Sequence, residues 1–315
     1  MTRESIAKTF NDNVHYLYSA FSHQTLEDSL DYTIASSPKW IYVGTILEEG
    51  NDIIRFDHKL KEKERQSVDG EVTVIVCDGD GLYVGTSTGK VYQGEFDSLT
   101  LVHTFDSEIT SICKYSEGLI IGTTANLIFY KAEEILKSIH IETVAVGIYK
   151  DLVLVLDTST DANVVVYKGE SLEKLYTINL VGEGKSLAIH HKYPYMLVGT
   201  DKLVQLYDLT CGVLASWEAS EEEHFERLKW NAFIDTQFLL SCNNQIHLID
   251  IVKIDSEFVD EDCDYGPEFI STHVTLQNNI SDFSIFKVRG KEKFGVVAVD
   301  SEQMQRYILH PELIE

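Results

Sequence analysis

An all-β fold built by repetition is what this chain predicts, and three observations predict it. One pattern, a strand-like run, a turn and a second strand-like run, is written several times over. The copies recur at the spacing of a four-stranded sheet. The last copy lacks a strand, while an N-terminal strand has no sheet of its own.

The repeat emerges when fifteen-residue windows are laid under one another without gaps: DYTIASSPKWIYVGT (31–45), VTVIVCDGDGLYVGT (72–86), ITSICKYSEGLIIGT (109–123), VAVGIYKDLVLVLDT (144–158), SLAIHHKYPYMLVGT (186–200) and LKWNAFIDTQFLLSC (228–242). Each window opens on apolar and β-branched residues, passes through Gly, Pro, Asp or Ser, and closes on a second apolar run. A third run follows in every copy, as in KVYQGEF, LIFY and LVQLYDL. Gly44, Gly85, Gly122 and Gly199 each precede a Thr at the end of the second run, where a small residue suits a tight hairpin or a close backbone approach. Successive windows are offset by 41, 37, 35, 42 and 42 residues. One blade of a β-propeller takes about 40 to 45.

A seventh copy lies near the C terminus. LVGTDKLVQLYDL (197–209) aligns with VAVDSEQMQRYIL (297–309), which sets Tyr207 over Tyr307, and ISDFSIF (280–286) supplies the first strand. After Leu309 only HPELIE remains, so the fourth strand is expected from the N terminus, where VHYLYSAF (14–21) precedes the first window. Pairing the two ends closes the ring and removes an open edge. The prediction is a seven-bladed β-propeller of four-stranded antiparallel blades, closed by an N-terminal strand, with residues 1–315 as a single domain.

In spacing and strand pattern the chain resembles the WD40-repeat family over nearly its whole length. That family's Trp-Asp pair, at the end of the third strand, corresponds here to Phe56-Asp57, Tyr207-Asp208 and Ile249-Asp250. The resemblance implies a WD-repeat propeller with degenerate repeats.

Composition fits one folded unit of 315 residues, with 44% hydrophobic and 10% aromatic residues. No apolar run approaches the roughly 18 residues of a membrane helix, and MTRESIAKTF lacks a signal-peptide core. The expectation is an intracellular protein, cytoplasmic or nuclear. Five scattered cysteines form no Cys-x-x-Cys, so neither a disulfide framework nor a zinc site is indicated. Cys77 and Cys113 fall in first strands, where a thiol is ordinarily a small buried apolar group.

Catalytic signatures are absent: there is no Gly-x-Ser-x-Gly, no His-Glu-x-x-His and no phosphate-binding glycine loop. His190 and His191 are adjacent on an expected strand, so they are expected to point to opposite faces and make a poor metal pair. No cofactor is expected. The alternative kept open is a propeller-type hydrolase whose site is assembled from several blades near the central channel.

Charge carries the functional expectation. With 51 acidic against 26 basic residues the net charge is −25, which disfavours nucleic acid and anionic lipid and favours a basic protein partner. Two acidic segments stand out: SWEASEEEHFE (216–226), between blades five and six, and the 253–272 stretch, read as an acidic loop insertion after the third strand of blade six. They leave the disc on opposite faces. Connections from one blade to the next all share a face, so Asp106, Glu108, Glu183, Glu221, Glu222, Glu223 and Glu226 are the candidate partner-binding residues. The expected role is a non-enzymatic interaction scaffold, a subunit or adaptor of a hetero-complex.

Overall fold

The computed structural model describes residues 22–25, 32–45, 51–157, 162–210, 212–218, 225–253, 268–275, 278–287, 294–300 and 303–309. Within them lie seven antiparallel sheets of four strands each. The inner strands are, in blade order, Tyr32–Ser36, Val72–Asp78, Ile109–Tyr115, Thr143–Tyr149, Gly184–Ile189, Phe225–Trp230 and Ile280–Lys287. The outer strands of blades one to six are Glu62–Val68, Thr100–Thr104, Glu134–His140, Glu173–Asn179, Gly212–Glu218 and Glu268–Thr275. Each inner strand packs against the next, and that of blade seven returns to that of blade one, so the sheets form a closed ring. The chain is a seven-bladed β-propeller.

Burial explains which residues form which strand. Second strands such as Gly118–Thr123 and Gln237–Cys242 are covered on both faces by neighbouring blades, so they are buried at every position and carry the apolar runs LII and FLL. Outer strands face water, and Glu62–Val68 is mostly charged and exposed. The core is accordingly divided into slabs between blades. Ile34, Val43 and Phe56 of blade one, for example, pack with Phe286, Val297 and Met304 of blade seven.

The Gly-Thr repeat has two separable causes. A Cβ built on Gly44, Gly85 or Gly122 would lie 2.5, 2.5 or 2.4 Å from Val72, Ile109 or Thr143, the first inner-strand residue of the following blade. The glycine therefore sets how closely blades approach. The buried Thr that follows closes the hairpin into the third strand: Thr123 Oγ1 accepts the Asn126 amide at 2.8 Å, and Thr200 Oγ1 accepts the Leu203 amide at 3.1 Å. Thr45 and Thr86 make the same kind of contact with Asp52 and Lys90.

Blade four corrects the gapless alignment by one residue. Thr143 pairs with Asp157 and Ala145 with Leu156, so Leu156, not Asp157, stands where blades one, two, three and five carry Gly. The volume is returned across the boundary: Gly184 opens the inner strand of blade five, and a Cβ there would lie 2.8 Å from Leu156 Cδ1. Large and small residues have changed sides.

The ring closes as expected through an N-terminal strand, whose described residues are Ser22–Thr25. Ser22–Thr25 pairs antiparallel with Gln303–Leu309, from Ser22 opposite Arg306 to Thr25 opposite Gln303, as the outer strand of blade seven. The expected 14–21 segment lies outside the described residues. In blade six, Lys253 ends the third strand and Glu268–Thr275 is the fourth, so the acidic stretch read as 253–272 contributes to the blade at both ends. Residues 254–267 lie outside the described residues.

The residues aligned with Trp-Asp act locally. Asp57 Oδ1 accepts the Lys59 and Lys61 amides at 2.8 and 3.0 Å, and Asp208 Oδ1 accepts the Thr210 amide at 2.7 Å, so both hold the turn into the fourth strand. Asp250 stays within its strand, opposite Gln237, and burial pushes its carboxyl up.

Candidate functional site

Strand direction divides the connections into two sets. Turns from first to second and from third to fourth strand leave on one face of the disc. Turns from second to third strand, and the links from one blade to the next, leave on the other, here called the crossover face.

The two faces handle charge differently. Opposite the crossover face, lysines bridge to carboxylates of a neighbouring blade: Lys39 to Asp80 at 2.8 Å, Lys114 to Asp78, Lys131 to Glu170 at 3.8 Å and Lys192 to Asp235 at 2.7 Å. Tyr115 adds a neutral bridge by donating to Asp151, and that contact, with burial, pushes its phenol up to about 12. Among the described residues, Asp78, Asp80, Glu170 and Asp235 are thus compensated from blade to blade, while Glu133 has no ion-pair partner.

On the crossover face the connections among the described residues hold Asp69, Glu71, Asp106, Glu108, Glu142, Glu183 and Asp201, against Lys202 alone. Strand ends offset part of this, since Lys90 pairs with Asp69 and Lys185 with Glu183 at 3.1 Å. Asp201 Oδ1 is turned inward, onto the Glu183 amide at 2.6 Å. Glu108 shows the cost of crowding: partial burial and then the charge of Glu71 raise its carboxyl above the usual range.

The sequence-derived candidates distribute as follows. Asp106 and Glu183 are exposed and Glu108 is half-buried in links between blades. Glu226 is exposed at the start of the inner strand of blade six, where the register slips between Phe225 and Leu228, with exposed Arg227 beside it. Glu221, Glu222 and Glu223 lie outside the described residues. Glu71 and Glu142 belong to the same face and were missed, although each directly precedes the start of an inner strand, at Val72 and Thr143.

The histidine pair departs from expectation. His190 falls one residue beyond its strand, in the turn, so strand alternation does not apply and the two rings stack at 4.6 Å and 16°. With Asp235 they bring three ligand-type atoms within 4.8 Å of one another. The donors are already engaged. His190 Nδ1 accepts the amides of Lys192 and Tyr193, both at 3.0 Å, and Nε2 donates to the Asp235 carbonyl at 2.9 Å. Asp235 meets Lys192 through one oxygen and His191 through the other at 3.1 Å. Holding a metal would require breaking these contacts, and the set fits a turn clasp better than a metal centre.

Polar side chains on the inner strands join one inner strand to the next. Thr110 and Thr143 hydroxyls meet at 2.7 Å, Ser186 Oγ accepts the Leu228 amide at 3.0 Å, and Ser36 and Ser284 hydroxyls meet at 2.8 Å. Asp282 takes Lys229 at 2.7 Å and the Ile34 amide at 3.1 Å. These contacts brace the ring. Burial also pushes the thiols of Cys77 and Cys113 up to about 12, which leaves them protonated and poorly nucleophilic at neutral pH.

Comparison with protein-family models and with curated proteins finds no match for this chain.

Proposed function

We propose that the protein is a non-enzymatic interaction scaffold that receives a basic segment of a partner protein on its crossover face, as one subunit or adaptor of an intracellular complex. The observation behind this reading is the unequal handling of charge. Four carboxylates on the opposite face, Asp78, Asp80, Glu170 and Asp235, are met by lysines of neighbouring blades, whereas on the crossover face burial and then the charge of Glu71 raise the Glu108 carboxyl, and neither glutamate has an ion-pair partner among the described residues. A partner's Lys or Arg side chains would relieve that repulsion. Each exposed pair contributes at most about 1 kcal/mol, so recognition is collective and salt-sensitive. The rest of the scaffold supplies stiffness, which limits the ordering entropy lost on binding.

The test replaces Asp106, Glu108, Glu183 and Glu226 together by Asn or Gln, with a matched variant neutralising Asp80, Glu117, Asp151 and Glu170 on the other face. Partners captured from native extract at low salt are identified for all three proteins. Loss of the main partner with the first variant and retention with the second supports the reading. Equal capture by the first variant and the parent overturns it.

A further inference from the structure

Blades two and three part on the side away from the crossover face, leaving a cleft of about 710 Å³. Its floor mixes the apolar and aromatic side chains of Tyr83, Val102, Leu119 and Tyr130 with the polar Gln93 and Ser98. One lip is the outer strand of blade two, Thr100–Thr104, where Leu101 is 51% exposed.

That strand also offers an unguarded edge. It pairs with a single neighbouring strand, Lys90–Glu95, and on its outer side the Val102 carbonyl accepts the Tyr130 hydroxyl at 3.4 Å. Charged side chains normally shield such an edge. Glu62–Val68 carries four in its first four positions, and Glu134–His140 and Glu173–Asn179 carry Glu134 with Lys137 and Glu173 with Lys174. TLVHT carries no acid, lysine or arginine. Charge is sparse on the outer strand of blade five too, so the edge alone does not single out a site; the cleft beside it does.

The charges at the mouth define the occupant. Lys114 is held by Asp78, and Lys131 sits between Glu117 at 3.6 Å and Glu170 at 3.8 Å. Glu133 has no ion-pair partner among the described residues. The mouth therefore has acid to spare, and a second copy of a chain of net charge −25 is a poor fit. We infer that an extended segment of another protein adds as a fifth strand to blade two, its apolar side chains resting on the cleft floor and a flanking Lys or Arg meeting Glu133. Strand addition supplies affinity through the backbone, and the cleft supplies selectivity for the alternate side chains. This site is separate from the crossover face and does not depend on it.

The probe is a labelled seven-residue peptide, Lys-Val-Tyr-Val-Thr-Val-Lys, titrated by fluorescence anisotropy into the full chain at low salt. Saturable binding is expected, with slowed amide exchange in Thr100–Thr104. Leu101→Lys, at an exposed position, is expected to weaken binding about tenfold with an unchanged melting curve, and N-methylation of alternate peptide amides is expected to do the same to the parent. Glu133→Lys is expected to weaken the Lys-flanked peptide more than a Gln-flanked one. Absence of saturable binding, equal binding by Leu101→Lys, tolerance of N-methylation, or exchange protection confined to the crossover face overturns the inference.

Discussion

Lys229 and Asp282 meet at 2.7 Å across the boundary between blades six and seven, and the other oxygen of the same carboxylate takes the Ile34 amide of blade one at 3.1 Å. One nearly buried side chain thus ties three blades where the ring closes. The Lys229 ammonium also donates to the Phe283 carbonyl and lies 5.1 Å from the Phe283 ring centre.

Removing that carboxylate leaves an ammonium and an amide without their partner. Asp282→Ala is expected to lower stability by about 3 kcal/mol, and Lys229→Met combined with Asp282→Asn to cost less than Asp282→Asn alone, because the stranded charge is gone. Urea unfolding measures both. A change below about 0.5 kcal/mol for Asp282→Ala would show that closure does not rest on this contact.

The exchange of volumes between Leu156 and Gly184 makes a second, sharper expectation. Gly184→Ala drives a methyl against Leu156 and is expected to cost about 1–3 kcal/mol. In a Leu156→Ala background the same substitution meets space and is expected to cost less. A double-mutant cycle with coupling below about 0.5 kcal/mol would rule out the contact as the reason for the glycine.

His190 makes stability depend on pH in a definite direction. Burial, the largest influence, holds its imidazole below the ordinary value of 6.5, and the two amides on Nδ1 require the neutral ring. The unfolded chain binds the proton more readily, so this contribution is complete above about pH 6.5 and is lost as pH falls through the lower folded value. His190→Gln is therefore expected to be less stable than the parent at pH 8, with the difference narrowing toward pH 5. A difference constant over that range contradicts the assignment.

What the sequence made legible follows from which contacts repeat. Gly44, Gly85 and Gly122 meet the same structural position of the next blade each time, so the period was visible. Blade four hid its register because Leu156 and Gly184 satisfy that position jointly, a relation spanning two blades that no single window contains. Ser22–Thr25, the described part of the closing strand, was passed over for a different reason. An outer strand has one neighbour and needs no apolar alternation, so SHQT looked less like a strand than VHYLYSAF. His190 was misjudged because its strand stops at Ile189. On the acidic side, Asp106 and Glu183 could be named from their place between blades, but the contrast with the other face could not. Lys39 and Asp80 stand 41 positions apart, and only the ring makes them neighbours.

A ring whose last sheet is finished by its first strand imposes an order on biosynthesis. Ser22–Thr25 leaves the ribosome before its partner Gln303–Leu309, which follows about 280 residues later. At the usual 5–20 residues per second that is a wait of roughly 15 to 60 s. Through that interval blade one has assembled with the side that will receive blade seven uncovered, including Ile34, Val43 and Phe56. Nascent chains are therefore open to chaperones, and to pairing with one another on a shared polysome, at this seam, and the ring is complete only when Ser22–Thr25 docks on Gln303–Leu309.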